Sequence, residues 1–252
     1  TEKFDAGKLI MEHLGDSYYW HIVTYNDLDV SIPLPIILIN EGKIDIFMSS
    51  KFHHGHSTYK GYKIATEADG EGLEGSIICV DSNGVYTGKK PLDFSITKNV
   101  FAIFIVTALI IFLVLKGAKI AKKREGQVPK GLLTVVEYFI SFIKDDIALP
   151  SIGEHKYKKY LPYLLTAFLF IFFSNLLGLF PFFPGGANIT GNIAVTLCLA
   201  VFTFVITNVS GNKDYWKHII NMPGVPWWLK FPLPIMPIVE ILGLFTKPFS
   251  LT

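Results

Sequence analysis

Residues 100–115 decide the fold: they read VFAIFIVTALIIFLVL and carry no charged side chain. With its flanks, this stretch approaches the roughly 20 apolar residues that an α-helix needs to cross a bilayer. Similar stretches follow at 161–183 and 192–209, with helix-breaking prolines and glycines between them. A fourth begins near residue 231 and is still running at 252. The sequence therefore predicts an all-α polytopic membrane protein that carries a small β-rich extracytoplasmic domain at its N-terminus.

The composition agrees with a membrane protein. Half of the 252 residues are hydrophobic and 17% are charged, and the mean hydropathy is +0.41, whereas charged residues make up about a quarter of an ordinary soluble domain. This composition excludes disordered, collagen-like and disulfide-stapled chains. Cys79 and Cys198 lie in segments of opposite character, so we expect no disulfide between them.

The charge distribution divides the chain in two. Residues 1–98 carry 9 Lys and 14 Asp or Glu, and residues 99–252 carry 14 Lys or Arg and 7 Asp or Glu. In the acidic part, Ile44, Ile46 and Met48 alternate with other side chains, residues 77–80 form a short β-type run, and Asn83-Gly84 is a turn pair. We expect residues 1–98 to form a partly β-rich domain and 99–252 to form the membrane domain.

The membrane domain is expected to contain four spans and one amphipathic helix. We place the spans at about 99–116, 160–183, 191–210 and from about 231, the last being cut off at 252. Between the first two, residues 130–148 have apolar side chains on one helical face and polar ones on the other. That segment lies on the bilayer surface or packs as a short soluble helix against another element.

The loops predict one orientation, because Lys and Arg collect on the cytoplasmic side. Basic residues follow the first span, precede the second and separate the third from the fourth, whereas the hairpin at 183–191 has none. The N-terminal domain is therefore expected to be periplasmic, in a multi-pass protein of the bacterial inner membrane. Export usually needs a signal peptide, and since the chain opens with Thr1 we expect that one was removed or is not covered.

Polar residues in apolar helices are the candidates for function. Glu240 and Lys247 lie two helical turns apart in the fourth span, so both project to nearly the same side. Glu240 either snorkels to the interface or lines an aqueous or proton-conducting cavity, where it would relay protons. Asn175 and Asn192 belong to the second and third spans, where an asparagine joins helices by hydrogen bonds or faces a channel.

Four segments resemble one family. Residues 240–252, which end in KPFSLT, are similar to the stretch of the F-type ATP synthase a subunit that leads into its Arg-Leu-Phe motif. Residues 175–181 (NLLGLFP) and 192–197 (NIAVTL) resemble two more of its elements, and the segment around Glu137 resembles its in-plane helix. The acidic N-terminal domain resembles the extended form found in Bacteroidetes-type bacteria.

The resemblance implies a proton-translocating stator subunit of the membrane F0 sector. Two half-channels beside the c-ring would load and unload a ring carboxylate, so that proton flow becomes rotation, and b subunits of the peripheral stalk would be further partners. Glu240 would match the acid of the cytoplasmic half-channel, Lys247 and Ser250 the approach to an essential arginine, and Asn175 a packing or channel-side position. That arginine is expected two residues after Thr252. The chain would not be an enzyme and would need no cofactor.

Two other functions remain open on the sequence. A polytopic secondary transporter would show a second, internally similar set of helices. A membrane-anchored extracytoplasmic metal-binding protein would use His53, His54 and His56, although no carboxylate lies nearby and an exposed hairpin is the alternative interpretation. Nothing in the chain combines basic and aromatic residues as nucleic-acid binding requires.

Overall fold

A computed structural model describes residues 15–25, 28–70, 72–124, 126–180, 183–220 and 235–250. The chain forms two compact units, Thr1–Ile189 and Thr190–Thr252. The first contains the strands and the first helices, and the second contains helices.

Three small antiparallel sheets make up the N-terminal region. A hairpin joins β1 (Tyr19–Tyr25) to β2 (Leu28–Pro33), and a three-stranded sheet has the order β4 (Lys43–Met48), β3 (Pro35–Asn40), β7 (Leu92–Asp93). The third sheet pairs β5 (Tyr62–Ile64) with β6 (Ile77–Cys79), and 3-10 turns lie at Ser49–Gly55 and Glu67–Asp69.

The three-stranded sheet buries one face and exposes the other. Ile36 and Leu38 of β3 are completely buried in a core with Phe52. Successive side chains of a strand point to opposite faces, and Ile46 of β4, which pairs with Ile37, is 66% exposed. Both faces of this sheet thus carry apolar side chains, but the described residues of the first unit cover only one of them.

The structure confirms that the N-terminal region contains sheets, as predicted, but it does not match the prediction strand by strand. β4 and β6 coincide with the predicted β patterns, and Gly84 has the positive φ (78°) of the predicted turn. The sequence predicted no strand before residue 40, yet β1, β2 and β3 lie there. Prolines at 33 and 35 and a run of adjacent aromatic residues hide the alternation in this segment.

The first long helix, α1 (Lys98–Lys123), begins directly on the N-terminal region. Thr97 caps it by accepting a hydrogen bond from the Val100 amide, and Asp16 Oδ1 accepts one from the Asn99 amide at 3.0 Å. The ring of Trp20 meets that of Phe101 edge-on, with centroids 5.7 Å apart. These contacts fix the start of α1 against the strands.

Six more helices follow α1 in the described chain. In the first unit they are α2 (Leu132–Ser141), which continues through a π-helical turn (Phe142–Ala148) into α3 (Leu149–Ile152), and α4 (Tyr157–Gly178). In the second unit they are α5 (Ile193–Ser210), α6 (Lys213–Ile220) and α7 (Ile235–Ser250). Three of these helices, α1, α4 and α5, are long and apolar enough to cross a membrane.

Some helix ends differ from those predicted. α1 continues to Lys123 instead of ending near 116, because lysines favour helix and their aliphatic stems extend it past the apolar run. The predicted beginning of the fourth span, near residue 231, lies outside the described residues, as does its last part at 251–252.

The amphipathic segment packs onto both of its neighbours. Phe139 of α2 lies 5.9 Å from Phe168, 5.2 Å from Phe172 and 6.5 Å from Phe173 of α4, measured between ring centroids. Towards α1, a Cβ added to Gly117 would lie 3.1 Å from Cγ1 of Val136. Glycine therefore allows α1 and α2 to approach closely.

The chain folds back sharply after α4. A Cβ added to Gly185 would lie 2.2 Å from the Phe180 carbonyl oxygen and 2.8 Å from that of Leu177. Only glycine fits so close to the end of a helix, and Gly186 adopts a positive φ of 79°. The helix break predicted from the prolines and glycines is present here, since α4 ends at Gly178.

Candidate functional site

Helix α7 carries the acidic candidate and two of its predicted companions. Val239, Leu242, Thr246 and Phe249 form an exposed stripe along it. Glu240 is half-buried and shares the other side with half-buried Leu244 and buried Pro248, at spacings of four and eight residues. The carboxylate thus belongs to the side of α7 that packs against protein.

The helices that pack on α7 within the second unit are α5 and α6. Asn208 of α5 donates its side-chain amide to the Phe204 carbonyl at 2.7 Å and accepts from the Tyr215 hydroxyl of α6 at 3.1 Å. This hydrogen bond ties α5 to α6 by polar side chains. The sequence does not predict this pair, since seven residues separate Asn208 from Tyr215 across a helix break.

The companions of Glu240 differ in their environment. Ser250 is exposed near the end of α7, and the side chain of Lys247 lies outside the described residues. Asn192 is the N-cap of α5, where its Oδ1 accepts a hydrogen bond from the Ala194 amide at 2.9 Å. The structure therefore gives Asn192 a definite local role, because an N-cap satisfies an amide that the helix leaves unpaired.

Asn175 lies on α4, in the first unit. Its side chain is exposed, and its neighbour Ser174 is 1% exposed with a hydroxyl that has no hydrogen-bond partner among the described residues. Sequence reasoning considered only Asn175, since the burial of a serine in an apolar helix depends on which neighbours cover it.

The three histidines do not form a ligand cluster. His54 stacks on Tyr19 with ring centroids 4.4 Å apart, and its Nε2 lies 3.4 Å from the Ser31 hydroxyl. His53 and His56 are exposed in the same 3-10 turn region. Among the described residues, no group of three or more His, Cys, Asp or Glu is placed to hold a metal ion.

Several ionisable groups of the N-terminal region have shifted pKa values, and the contacts or the burial of each group explain the shift. A hydrogen bond and ion pair from Lys60, with Nζ 2.7 Å from Asp45 Oδ1, lowers the pKa of Asp45. Lys63 lowers the pKa of Asp69 in the same way, at 2.6 Å. Burial raises the pKa of the Cys79 thiol, the reverse of what activates a nucleophilic cysteine. These pKa shifts therefore follow from ion pairs and from burial.

Residues 100–252, which include Glu240 and all the long helices from their first turns onward, match the family described as ATP synthase A chain. The chain belongs to this family. The match covers more than half of the chain and confirms the resemblance seen in the residues around Asn175, Asn192 and Glu240. Residues 9–94 match a second family, described as a domain of unknown function.

Individual relatives agree with the family assignment. The chain is 48% identical over 166 residues to ATP synthase subunit a 2 of Chlorobaculum tepidum, an alignment that covers 64% of this chain and 45% of that protein. It is 43% identical over 204 residues to ATP synthase subunit a of Chlorobium phaeobacteroides strain BS1, covering 73% and 57%. The chain spans about half the length of the curated relatives that it matches.

Family membership also decides between the functions left open on the sequence. Neither the secondary transporter nor the membrane-anchored metal-binding protein is supported by the relatives, which carry the name ATP synthase subunit a.

Proposed function

We propose that the chain is the proton-translocating stator subunit of an F-type ATP synthase and lies beside its c-ring. The observation that carries this proposal is the half-buried carboxylate of Glu240, on the packed side of a helix within the family-matched region. A carboxylate in an apolar helix is unfavourable unless it serves an ion or proton pathway, so its retention there supports a role in transport.

Glu240 would accept a proton on the cytoplasmic side and pass it towards the ring. Helix α7, which carries it, packs on α5 and α6, the helices that the Asn208–Tyr215 hydrogen bond joins. In this proposal Lys247 and Ser250 form the approach to the arginine that the family resemblance places after Thr252. Asn192 holds the first turn of α5, and Asn175 serves as a packing or channel-side residue on α4.

The energetics of the proposal follow from the membrane potential. Moving one proton across 100 mV releases about 2.3 kcal/mol, which the rotor would convert into torque. An arginine stays charged at every physiological pH, so it pairs with a ring carboxylate without passing the proton directly across. ATP chemistry would belong to other subunits, and we therefore propose that this chain is not itself an enzyme.

The arrangement in the membrane is also a proposal. Helices α1, α4, α5 and α7 would cross the bacterial inner membrane, with α2 and α3 at its cytoplasmic surface. Residues 1–98 would form a periplasmic domain and 99–252 the membrane domain. The c-ring, the b subunits of the peripheral stalk and the lipid bilayer would be the partners.

Glu240→Gln in the full-length protein tests the role of the carboxylate. Glutamine keeps the size of the side chain but does not bind or release a proton, so we expect ATP-driven proton pumping in inverted vesicles to fall about tenfold or more. Val239→Ala, on the exposed side of the same helix, is the control and should pump as the wild type does. Co-purification with the other subunits checks that assembly is intact. Unchanged pumping in an assembled Glu240→Gln complex would exclude the relay role of this residue.

A further inference from the structure

A partly open cavity of about 300 Å³ lies between α1, α2 and α4 in the first unit. Its walls include Gly117 and Ala121 of α1, Val136 and Phe139 of α2, and Leu169 and Phe173 of α4. Except for Glu137, its described lining is apolar or glycine. Its volume reaches the lower end of the range for small-molecule pockets. Water does not fill such a site readily, because apolar walls offer it no hydrogen bonds.

The cavity leads towards the basic end of α1. The α1 residues that line it recur at positions 113, 114, 117, 118 and 121, and the helix ends at Lys123. Lys122, Lys123 and Arg124 lie at this end of the helix, and all three are exposed. Among the residues that the structure describes, none of these three forms an ion pair with a carboxylate. Three cations therefore lie at the end of α1 to which the apolar cavity leads, without a carboxylate partner in the described part of the chain.

We propose that this site binds an anionic phospholipid, with one acyl chain in the cavity and the phosphate against the basic end of α1. The ligand has to combine an apolar chain with a negative head, and basic pockets between membrane helices bind anionic lipid head groups. The proposal rests on the membrane placement given above and is independent of the proton path through Glu240.

The positive charge at the end of α1 favours an anionic lipid over a zwitterionic one. The carbonyl end of α1 alone would repel a phosphate, because the helix dipole places about half a negative charge there. Three nearby cations outweigh that charge, and a zwitterionic head group would bring its own cation among them. Glu137 lies on α2, whereas the basic cluster lies at the end of α1, so the head group has a cationic position apart from the carboxylate.

The experiment uses the full-length protein in its assembled complex, reconstituted in vesicles of phosphatidylcholine and phosphatidylglycerol. A trace of either lipid carries a photoactivatable diazirine in its acyl chain. After irradiation, digestion with a protease that does not cut at Lys or Arg gives peptides that cover 113–124 and 132–140. We expect phosphatidylglycerol to label these peptides at least about fivefold more than phosphatidylcholine does, since each cation near the surface contributes about that factor.

Two variants test the binding of the lipid head group and of the acyl chain separately. Replacing Lys122, Lys123 and Arg124 together by Gln should remove the preference for phosphatidylglycerol, and Ala121→Leu, which fills the cavity, should lower labelling by both lipids. Matched controls are the triple replacement of Lys156, Lys158 and Lys159 by Gln, which changes the same charge elsewhere, and Ala108→Leu on the opposite, exposed side of α1. Both controls should label as the wild type does.

The outcomes distinguish the lipid site from other possibilities. Equal labelling by the two lipids, or a preference that survives the triple Gln variant, would overturn the anionic site. Cross-links from these peptides to a neighbouring subunit instead of lipid would show that a protein helix fills the cavity, and would also overturn it. If the chain did not span the membrane, the exposed side of α4 would remain unlabelled as well, which separates failure of the membrane placement from failure of the lipid site.

Discussion

Tyr18 links the two ends of the N-terminal region through one buried hydroxyl. It donates a hydrogen bond of 2.5 Å to Asp93 Oδ2, 75 residues away. Burial raises the pKa of Tyr18 far above its usual 10, and the hydrogen bond and negative charge of Asp93 raise it further. The folded region therefore requires the protonated phenol.

This requirement predicts a loss of stability at alkaline pH. Above about pH 10 the unfolded chain releases the Tyr18 proton while the folded one keeps it, so stability falls by about 1.4 kcal/mol for each further pH unit. Below pH 10 both states hold the proton, and this contribution does not change. Hydrogen exchange of the β3 amides in the full-length protein, measured from pH 9 to 11.5, should show the decline.

Tyr18→Phe is the test variant for the alkaline effect. It should flatten the decline in β3 protection above pH 10, whereas Tyr86→Phe, at a half-buried position of the same region, should leave it as in the wild type. A decline equally steep in Tyr18→Phe would assign the alkaline sensitivity to other groups.

At the residue scale, the sequence shows which side chains are polar, but it does not show what surrounds each of them in the folded protein. Glu240 stands out because a carboxylate in an apolar helix is visible in the sequence, and its place in the helix follows from spacing. The N-cap role of Asn192 was also readable, since an asparagine before an apolar helix is a common start signal, although it was interpreted as a channel residue. The burial of Ser174 was not readable, because it depends on chain segments distant in sequence.

At the scale of elements, the three-stranded sheet offers a matched pair of isoleucines. Ile36 is completely buried on one face and Ile46 is 66% exposed on the other. Ile36→Ala should destabilise the sheet by about 2–5 kcal/mol, because it removes buried methyl groups and leaves a cavity. Ile46→Ala should change stability by less than about 0.5 kcal/mol.

Hydrogen exchange of β3 and β4 amides measures both isoleucine variants in the same protein. Equal effects of the two substitutions would contradict the prediction, because they would mean that the exposed face of the sheet is also covered in the protein as purified.

The contact between α1 and α2 gives a second prediction for elements. Gly117→Ala adds a Cβ that meets Cγ1, Cγ2 and Cβ of Val136 at 3.1, 3.2 and 3.4 Å, so the Val136 side chain must move by a few tenths of an ångström. Overpacking of this kind destabilises by about 1–3 kcal/mol. Thermal unfolding of the purified full-length protein should show the loss.

Shortening the Val136 side chain should restore part of the stability that Gly117→Ala removes. In the double variant Gly117→Ala, Val136→Ala the clash disappears, and the loss should be smaller than the sum of the two single losses. Strict additivity would show that the glycine matters for the backbone of α1 and not for its contact with α2.

Helices with a long apolar run or a regular apolar pattern could be predicted from the sequence. Elements that depend on tertiary contacts could not. The apolar runs identify α1, α4 and α5, and the amphipathic pattern identifies the helix that begins at Leu132. The π-helical turn at Phe142–Ala148 has no signal in the sequence, although it lies where Phe142 packs on Phe168 with centroids 5.7 Å apart. β7 has only two residues and is fixed by its pairing with β3.

At the scale of the whole molecule, the boundary between the two matched families differs from the boundary between the two compact units. The two families meet between residues 94 and 100, whereas the compact units meet after Ile189. The start of α1 explains the difference. Lys98 and Asn99 hydrogen-bond to Ser17 and Asp16, so the first helix stays with the strands that precede it although it belongs to the other family.

The charge distribution predicts one orientation of the whole chain, and cysteine labelling tests it. In a background with Cys79→Ala and Cys198→Ala, single cysteines replace three exposed residues: Asn83 in the N-terminal region, Lys122 at the end of α1 and Lys213 at the start of α6. A membrane-impermeant maleimide should label Asn83→Cys in cells whose outer membrane alone is permeabilised. Lys122→Cys and Lys213→Cys should react only after the inner membrane is opened, because basic loops stay in the cytoplasm. Labelling of Lys122→Cys before that step would reverse the orientation and place residues 1–98 in the cytoplasm. Labelling of Lys213→Cys alone would instead show that α4 and α5 do not cross as a pair.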